Sequence, residues 1–141
     1  MAVFFDASVL VQCTNAQAPD KMGRARSLVA HPTLTGSAMV SAAGLADLYQ
    51  RLVAEQAVPP DRAQALVLAC ADWQVVPVDS ALLRAGMDLA GLFRLQLCDA
   101  ITVQAAIQAG ASTLYADHLQ HGQRWGGLTL VNPFLGPAGS R

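Results

Sequence analysis

Residues Leu97 to Gln123 read LCDAITVQAAIQAGASTLYADHLQHGQ, and the order of features in this stretch decides the fold. From about Asp99 to Ala109 the run is apolar on nearly every face, which predicts a buried helix. Gly110 stops it, since glycine tolerates the left-handed backbone at helix ends. Thr113 to Ala116 is short, apolar and suited to a strand, and Asp117 closes it with a carboxylate. A buried helix feeding a buried strand is the repeating unit of a parallel sheet covered on both faces.

The same alternation extends toward the amino end. Ala2 to Phe5 reads as a strand buried on both faces, ended by Asp6, with a helical turn over Ser8 to Gln12. Asn15 to Asp20 is a polar loop, and Asp20 can cap a helix to about Ala30 that His31 and Pro32 stop. A short strand is expected in the residues flanking Gly36. Ser41 caps the next helix, whose Leu45, Leu48, Tyr49 and Leu52 form one apolar stripe. Pro60 or Asp61 opens a helix to about Ala71. Trp73 to Val78 is a strand, and Asp79 or Ser80 caps a helix carrying Leu82, Leu83, Leu89, Leu92 and Phe93. Leu128 to Val131 is the last strand, and Asn132-Pro133 ends the fold. Strands alternating with helices require right-handed crossovers. The expected architecture is an α/β/α sandwich with a central, mainly parallel, Rossmann-like sheet. One domain is expected over residues 1–135, with a flexible tail at 136–141.

Composition narrows the function. The chain has 141 residues, 53% of them hydrophobic and 13% charged, with a net charge of -1. This is enough for a core and too apolar for disorder. A pI near 6.2 excludes a broad basic surface for wrapping nucleic acid, while leaving room for a small cleft that acts on it. Cys13, Cys70 and Cys98 form no CxxC pair, so neither a zinc site nor a disulfide framework is expected. The amino end has no basic region before its apolar run, and Asp6 interrupts that run, which is unlike a signal peptide. No apolar run reaches the roughly 18 residues of a membrane span. A cytoplasmic protein that does not engage membranes is expected.

Nine of the ten acidic residues are Asp, and Glu55 is the sole Glu. In open α/β sheets, sites gather beyond the carboxyl ends of strands, where Asp6 and Asp117 fall. Asp6 serves either a site or the cap of the turn after it. Asp99 opens the buried helix, where the helix dipole favours a carboxylate. Asp47 points away from the leucine stripe toward Arg51 at i+4, the geometry of a surface ion pair. His118 and His121 follow Asp117, too few for a histidine metal site. Carboxylates without a thiolate or His-rich set favour hard cations such as Mg²⁺ or Mn²⁺, and phosphodiester hydrolysis is the chemistry that suits them. No GxGxxG, P-loop or GxSxG motif occurs. Ser8 stands where a phosphoaspartate phosphatase would carry its second acid.

FFDASVLV, VSAAGLADLYQRLV, the 97–123 stretch and GGLTLVNPF, in that order, resemble a PIN domain of the VapC type, the toxin ribonucleases of bacterial toxin–antitoxin pairs. The resemblance spans nearly the whole chain. It implies an α/β/α sandwich whose acids bind Mg²⁺ or Mn²⁺ and cut RNA, leaving a 3′-hydroxyl and a 5′-phosphate. It also implies a small antitoxin partner that sends an Arg into the acidic pocket, and a homodimer. Asp6 and Asp99 match the principal metal-binding acids. Asp47 stands where the pattern beginning at Ser41 usually has Glu, one methylene longer. The usual Ser/Thr-x-Asp ending falls on Ala116-Asp117-His118, so the hydroxyl is lost and the acid is either shifted to Asp117 or replaced by His118. The expected catalytic residues are Asp6, Asp47, Asp99 and Asp117, with His118 joining them as metal ligands. Arg24, Arg26 and Arg124 are the candidate RNA-holding cations, and Trp125 a candidate base-stacking ring. The alternative is a PIN fold with a weakened site, retained to bind antitoxin or RNA.

Overall fold

β1 (Val3–Phe5) shows why so short a strand is wholly apolar. Successive side chains point to opposite faces of a sheet, and Phe4 and Phe5 are both fully buried, each in a different core. The computed structural model describes residues 2–135; the tail expected at 136–141 lies outside the described residues.

β1 lies between two parallel neighbours, β2 (Ala38–Ser41) and β4 (Thr113–Tyr115), with Phe4 opposite Met39 on one side and Leu114 on the other. β3 (Gln74–Val76) extends the sheet beyond β2, and β6 (Leu128–Val131) beyond β4, both in parallel. β5 (Arg124–Trp125) pairs antiparallel with β6 and gives the order β3-β2-β1-β4-β6-β5. The sequence gives no sign of β5, because a two-residue strand has no periodicity.

The helices are α1 (Ala7–Leu10), continued by a 3₁₀ turn over Val11–Thr14, then α2 (Pro19–Thr35), α3 (Ala42–Ala54), α4 (Pro60–Cys70), α5 (Ser80–Phe93) and α6 (Leu97–Gln108). They cover both faces of the sheet. α5 and α6 enclose Phe4, Leu82, Val103, Leu114 and Leu130. The other face packs Phe5, Val9, Val40, Leu48 and Leu52 against α1, α3 and α4. The result is the expected α/β/α sandwich with a mostly parallel sheet.

Local signals account for most boundaries. Ser41 Oγ accepts from Gly44 N at 2.8 Å and Asp79 Oδ1 from Leu82 N at 2.8 Å, which caps α3 and α5. Several boundaries differ from expectation: β3 is confined to Gln74–Val76 within the expected Trp73 to Val78, and Asp20 falls in the first turn of α2 with Ala18 at its cap. α2 continues through His31 and Pro32 to Thr35, ending where Gly36 takes φ 72°. A proline in the last turn removes one helical hydrogen bond and leaves the rest intact, so it does not terminate the helix. α6 begins at Leu97, which puts Asp99 in its first turn and leaves Gln96 at the cap. No helix among the described residues is long and apolar enough to cross a membrane.

Candidate active site

Asp6 is placed by the strand it terminates and the helix it starts. Its backbone N donates to Tyr115 O on β4 at 2.9 Å, and its Oδ2 accepts from Ser8 N at 3.0 Å, capping α1. The residue is 8% exposed. The cap reading of Asp6 holds, and the same side chain also lines a cleft.

That cleft, about 390 Å³, opens at the carboxyl edge of the sheet and is lined by Asp6, Asp47, Arg51, Asp99, Ile101 and His118 among others. Asp99 enters it from the first turn of α6. His118 enters from the end of β4, and its Nε2 lies 2.6 Å from Asp99 Oδ1. A carboxylate only accepts, so the ring donates. The other ring nitrogen, Nδ1, lies 3.7 Å from Asp117 Oδ1 and 4.0 Å from Asp6 Oδ2. The imidazole thus stands among three carboxylates. Asp117 is not part of the cleft wall and reaches the cluster through His118. Of the two alternatives left by the Ala116-Asp117-His118 sequence, His118 is the residue aimed into the cleft.

The loop that carries this ring is pinned from distant parts of the chain. Asp117 N donates to Ser8 Oγ at 3.2 Å, and Asn132 Nδ2 donates to Asp117 O at 3.0 Å. Asn132 N donates to His121 Nδ1 at 3.0 Å, which makes His121 a support of the loop.

Charge follows geometry. Asp117 and Asp99 push the His118 pKa up from 6.5 to about 10, against the opposing effect of burial and with Asp6 adding to the rise. The ring is therefore cationic at neutral pH. Burial works against ionisation of Asp117, yet His118, Lys21 and the Ser8 hydroxyl hold its carboxyl below the ordinary value. Across the cleft, Arg51 Nε donates to Asp47 Oδ2 at 3.1 Å, the ion pair foreseen from their spacing. Arg51 also reaches Glu55 at 3.9 Å. Arg51 was not among the expected site residues; its i+4 relation to Asp47 was the available signal.

The expected RNA contacts fare differently. Arg24 Nε is used on Pro133 O at 3.2 Å and Arg26 Nε on Cys13 O at 2.8 Å, so both tie α2 to the fold. Trp125 is only 7% exposed and packs edge-on against Phe93, and a ring so covered does not present a stacking face. Arg124 remains exposed on β5.

An oxygen-rich set of carboxylates suits a hard divalent cation in its chemistry. Its arrangement does not. The His118 ring stands between Asp6, Asp99 and Asp117, with its Nε2 engaged by Asp99. Among the described residues no three His, Cys, Asp or Glu side chains are disposed to hold a metal. As they stand, these residues do not fit the ion.

No family model and no curated protein matches the chain. Solved structures do. A toxin–antitoxin complex from Klebsiella pneumoniae matches with a TM-score of 0.70 at 14% identity, over 94% of this chain and 98% of that one. VapC20 of Mycobacterium tuberculosis, a Sarcin-Ricin loop cleaving toxin, matches with a TM-score of 0.60 at 22% identity, over 80% and 87%. VapBC2 from Rickettsia felis, bound to a DNA fragment from its promoter, matches with a TM-score of 0.62 at 14% identity, over 92% and 97%. At these identities the likeness establishes architecture: the chain has the PIN-like α/β/α fold of these toxin structures.

Proposed function

We propose that the chain is an endoribonuclease toxin that hydrolyses RNA phosphodiester bonds and is restrained by a small cognate antitoxin, with Mg²⁺ or Mn²⁺ as cofactor once the seat beside Asp99 is clear. The observation that carries this reading is the meeting of Asp6 and Asp99 in one cleft at the carboxyl edge of the sheet. Toxin–antitoxin complexes of the same fold support an antitoxin partner, and the loop-cleaving toxin supports RNA as substrate. Within the cleft, Arg51 is a cation, beside His118, that can face a phosphodiester oxygen, its planar fork matching that group. On this reading a carboxylate of the cleft takes a proton from the attacking water. Exposed Leu83, Met87, Leu92 and Phe93 on α5, with Leu97 opening α6, support a homodimer as part of this reading. The three free cysteines support a cytoplasmic setting.

A second reading, a binding module of this fold that holds antitoxin or RNA without cutting, is favoured by the pairing of Asp99 with His118 and of Asp47 with Arg51. The test is a panel of labelled RNAs incubated with Mn²⁺ and either the wild-type chain or Asp6→Asn. Cleavage that disappears in Asp6→Asn supports the nuclease. RNA binding without cleavage supports the module.

A further inference from the structure

The His118 ring is shared between two acids that line the cleft, Asp6 and Asp99, and one beside it, Asp117. Asp6 and Asp117 approach one nitrogen of the His118 ring and Asp99 approaches the other, so the ring is a wedge between residues from three separate elements. The backbone on either side of it is fixed. Asp117 N is held by Ser8, Asp117 O by Asn132, and Ala116 N donates to Val131 O at 3.2 Å. The ring itself is not fixed in this way. The His118 side chain is 39% exposed, and its contacts within the cluster are to carboxylates that solvent also reaches in part. Its first side-chain torsion has other staggered positions, and reaching one breaks the Asp99 contact while the backbone bonds of the loop stay made.

We propose that His118 is a built-in occupant of the cation seat: its ring fills the place among Asp6, Asp99 and Asp117, and a divalent ion enters only when the ring swings off Asp99. This rests on the reading above that the cleft is served by a divalent ion. It reverses the role the sequence implied for His118, from metal ligand to competitor. Asp6 and Asp99 are then the groups that the departing ring releases. The chain meets a divalent ion as a closed site in which an internal contact must be exchanged for an external one.

Calorimetric titration of Mn²⁺ into the full chain tests this at one fixed pH, with wild type, His118→Ala and His118→Asn compared. A ligand's removal weakens binding, whereas a competitor's removal strengthens it. The expected result is tightening by about tenfold or more in His118→Ala, the scale of one charge-assisted hydrogen bond no longer broken on entry. His118→Asn, a smaller perturbation with its own folding check by circular dichroism, is expected to tighten as well. Adding Asp6→Asn to His118→Ala should abolish the gain, which locates the ion in the cleft. Equal or weaker binding in both His118 variants overturns the proposal, as does an absence of Mn²⁺ binding throughout. A parallel RNA cleavage assay separates the two levels. A gained Mn²⁺ site without cleavage ends the nuclease reading and leaves the role of His118 standing. Cleavage with no gain in Mn²⁺ affinity does the reverse.

Discussion

Gly86 of α5 lies so close to Ile101 of α6 that a methyl group on it would stand 2.8 Å from Ile101 Cγ1 and 3.4 Å from Ile101 Cα. Ile101 is buried in the core, and its Cα is backbone, so neither atom has much room to give. Ile101 also lines the cleft, two positions after Asp99 in the same helical turn. The hydrogen atom at Gly86 therefore sets how near α6, and with it Asp99, sits to α5.

Gly86→Ala is expected to destabilise the fold by about 1–3 kcal/mol, the usual cost of overpacking a core. This opposes the gain of up to about 1 kcal/mol that alanine brings to a helix interior. Urea unfolding measures it. A variant as stable as wild type would show that the two helices separate freely.

Asp6 has two tasks that substitutions can separate. Asparagine keeps an oxygen for Ser8 N and still caps α1, whereas alanine does not. Asp6→Ala should therefore lose about 1 kcal/mol more stability than Asp6→Asn. Both should lose RNA cleavage. Equal stability of the two variants in denaturant would rule out the capping role.

Asp47 is paired with Arg51 on the outer wall of the cleft, its side chain 49% exposed. Asp47→Glu should change stability by less than about 0.5 kcal/mol, as exposed pairs contribute little. On the ribonuclease reading the added methylene lengthens the reach of this acid within the cleft it lines, so RNA cleavage should rise severalfold. A fall in rate would show that this position works through Arg51 alone.

His118 couples stability to pH. Its folded pKa of about 10 lies above the ordinary 6.5. The stabilisation it contributes is complete below about pH 6.5, declines above it, and is gone once pH has risen through about 10. Partial exposure screens the effect, so it is read as a difference. Between those limits the Tm of wild type should fall more with rising pH than that of His118→Asn. Parallel curves for the two proteins would remove His118 from the account.

The three thiols should separate by reactivity. Burial pushes the Cys70 pKa up to about 11, with Cys13 adding to it, and burial raises Cys13 as well, against Arg26. Few thiolates exist at those sites near neutrality, and the thiolate is the reactive form. Cys98 is exposed. A chromogenic disulfide reagent should titrate one thiol quickly and two slowly in the folded chain, and three together in denaturant.

The sheet was legible because strands buried on both faces leave apolar runs, and those runs end in Asp6 and Asp117. Ser41, Pro60 and Asp79 announced their helices through capping chemistry that acts over three or four residues. Pro32 misled because its effect depends on its place in the helix, which the sequence does not mark. Asp6, Asp99 and Asp47 could be nominated from strand ends, a helix start and a family pattern. The orientation of His118 could not. It depends on Ser8, 109 positions from Asp117, and on Asn132 in the segment after β6.

The strand order has a consequence for synthesis. β4 is the strand that joins β1 to β6, and it brings in the end of the chain that carries His118. A nascent chain that has reached only β3 can pair β1, β2 and β3, yet it holds Asp6 and Asp47 without Asp99 or His118. No cleft exists in it. On the ribonuclease reading, the cutting site comes into being only once β4 has been made and docked beside β1, so nearly the whole fold must be synthesised before the chain can act on any RNA.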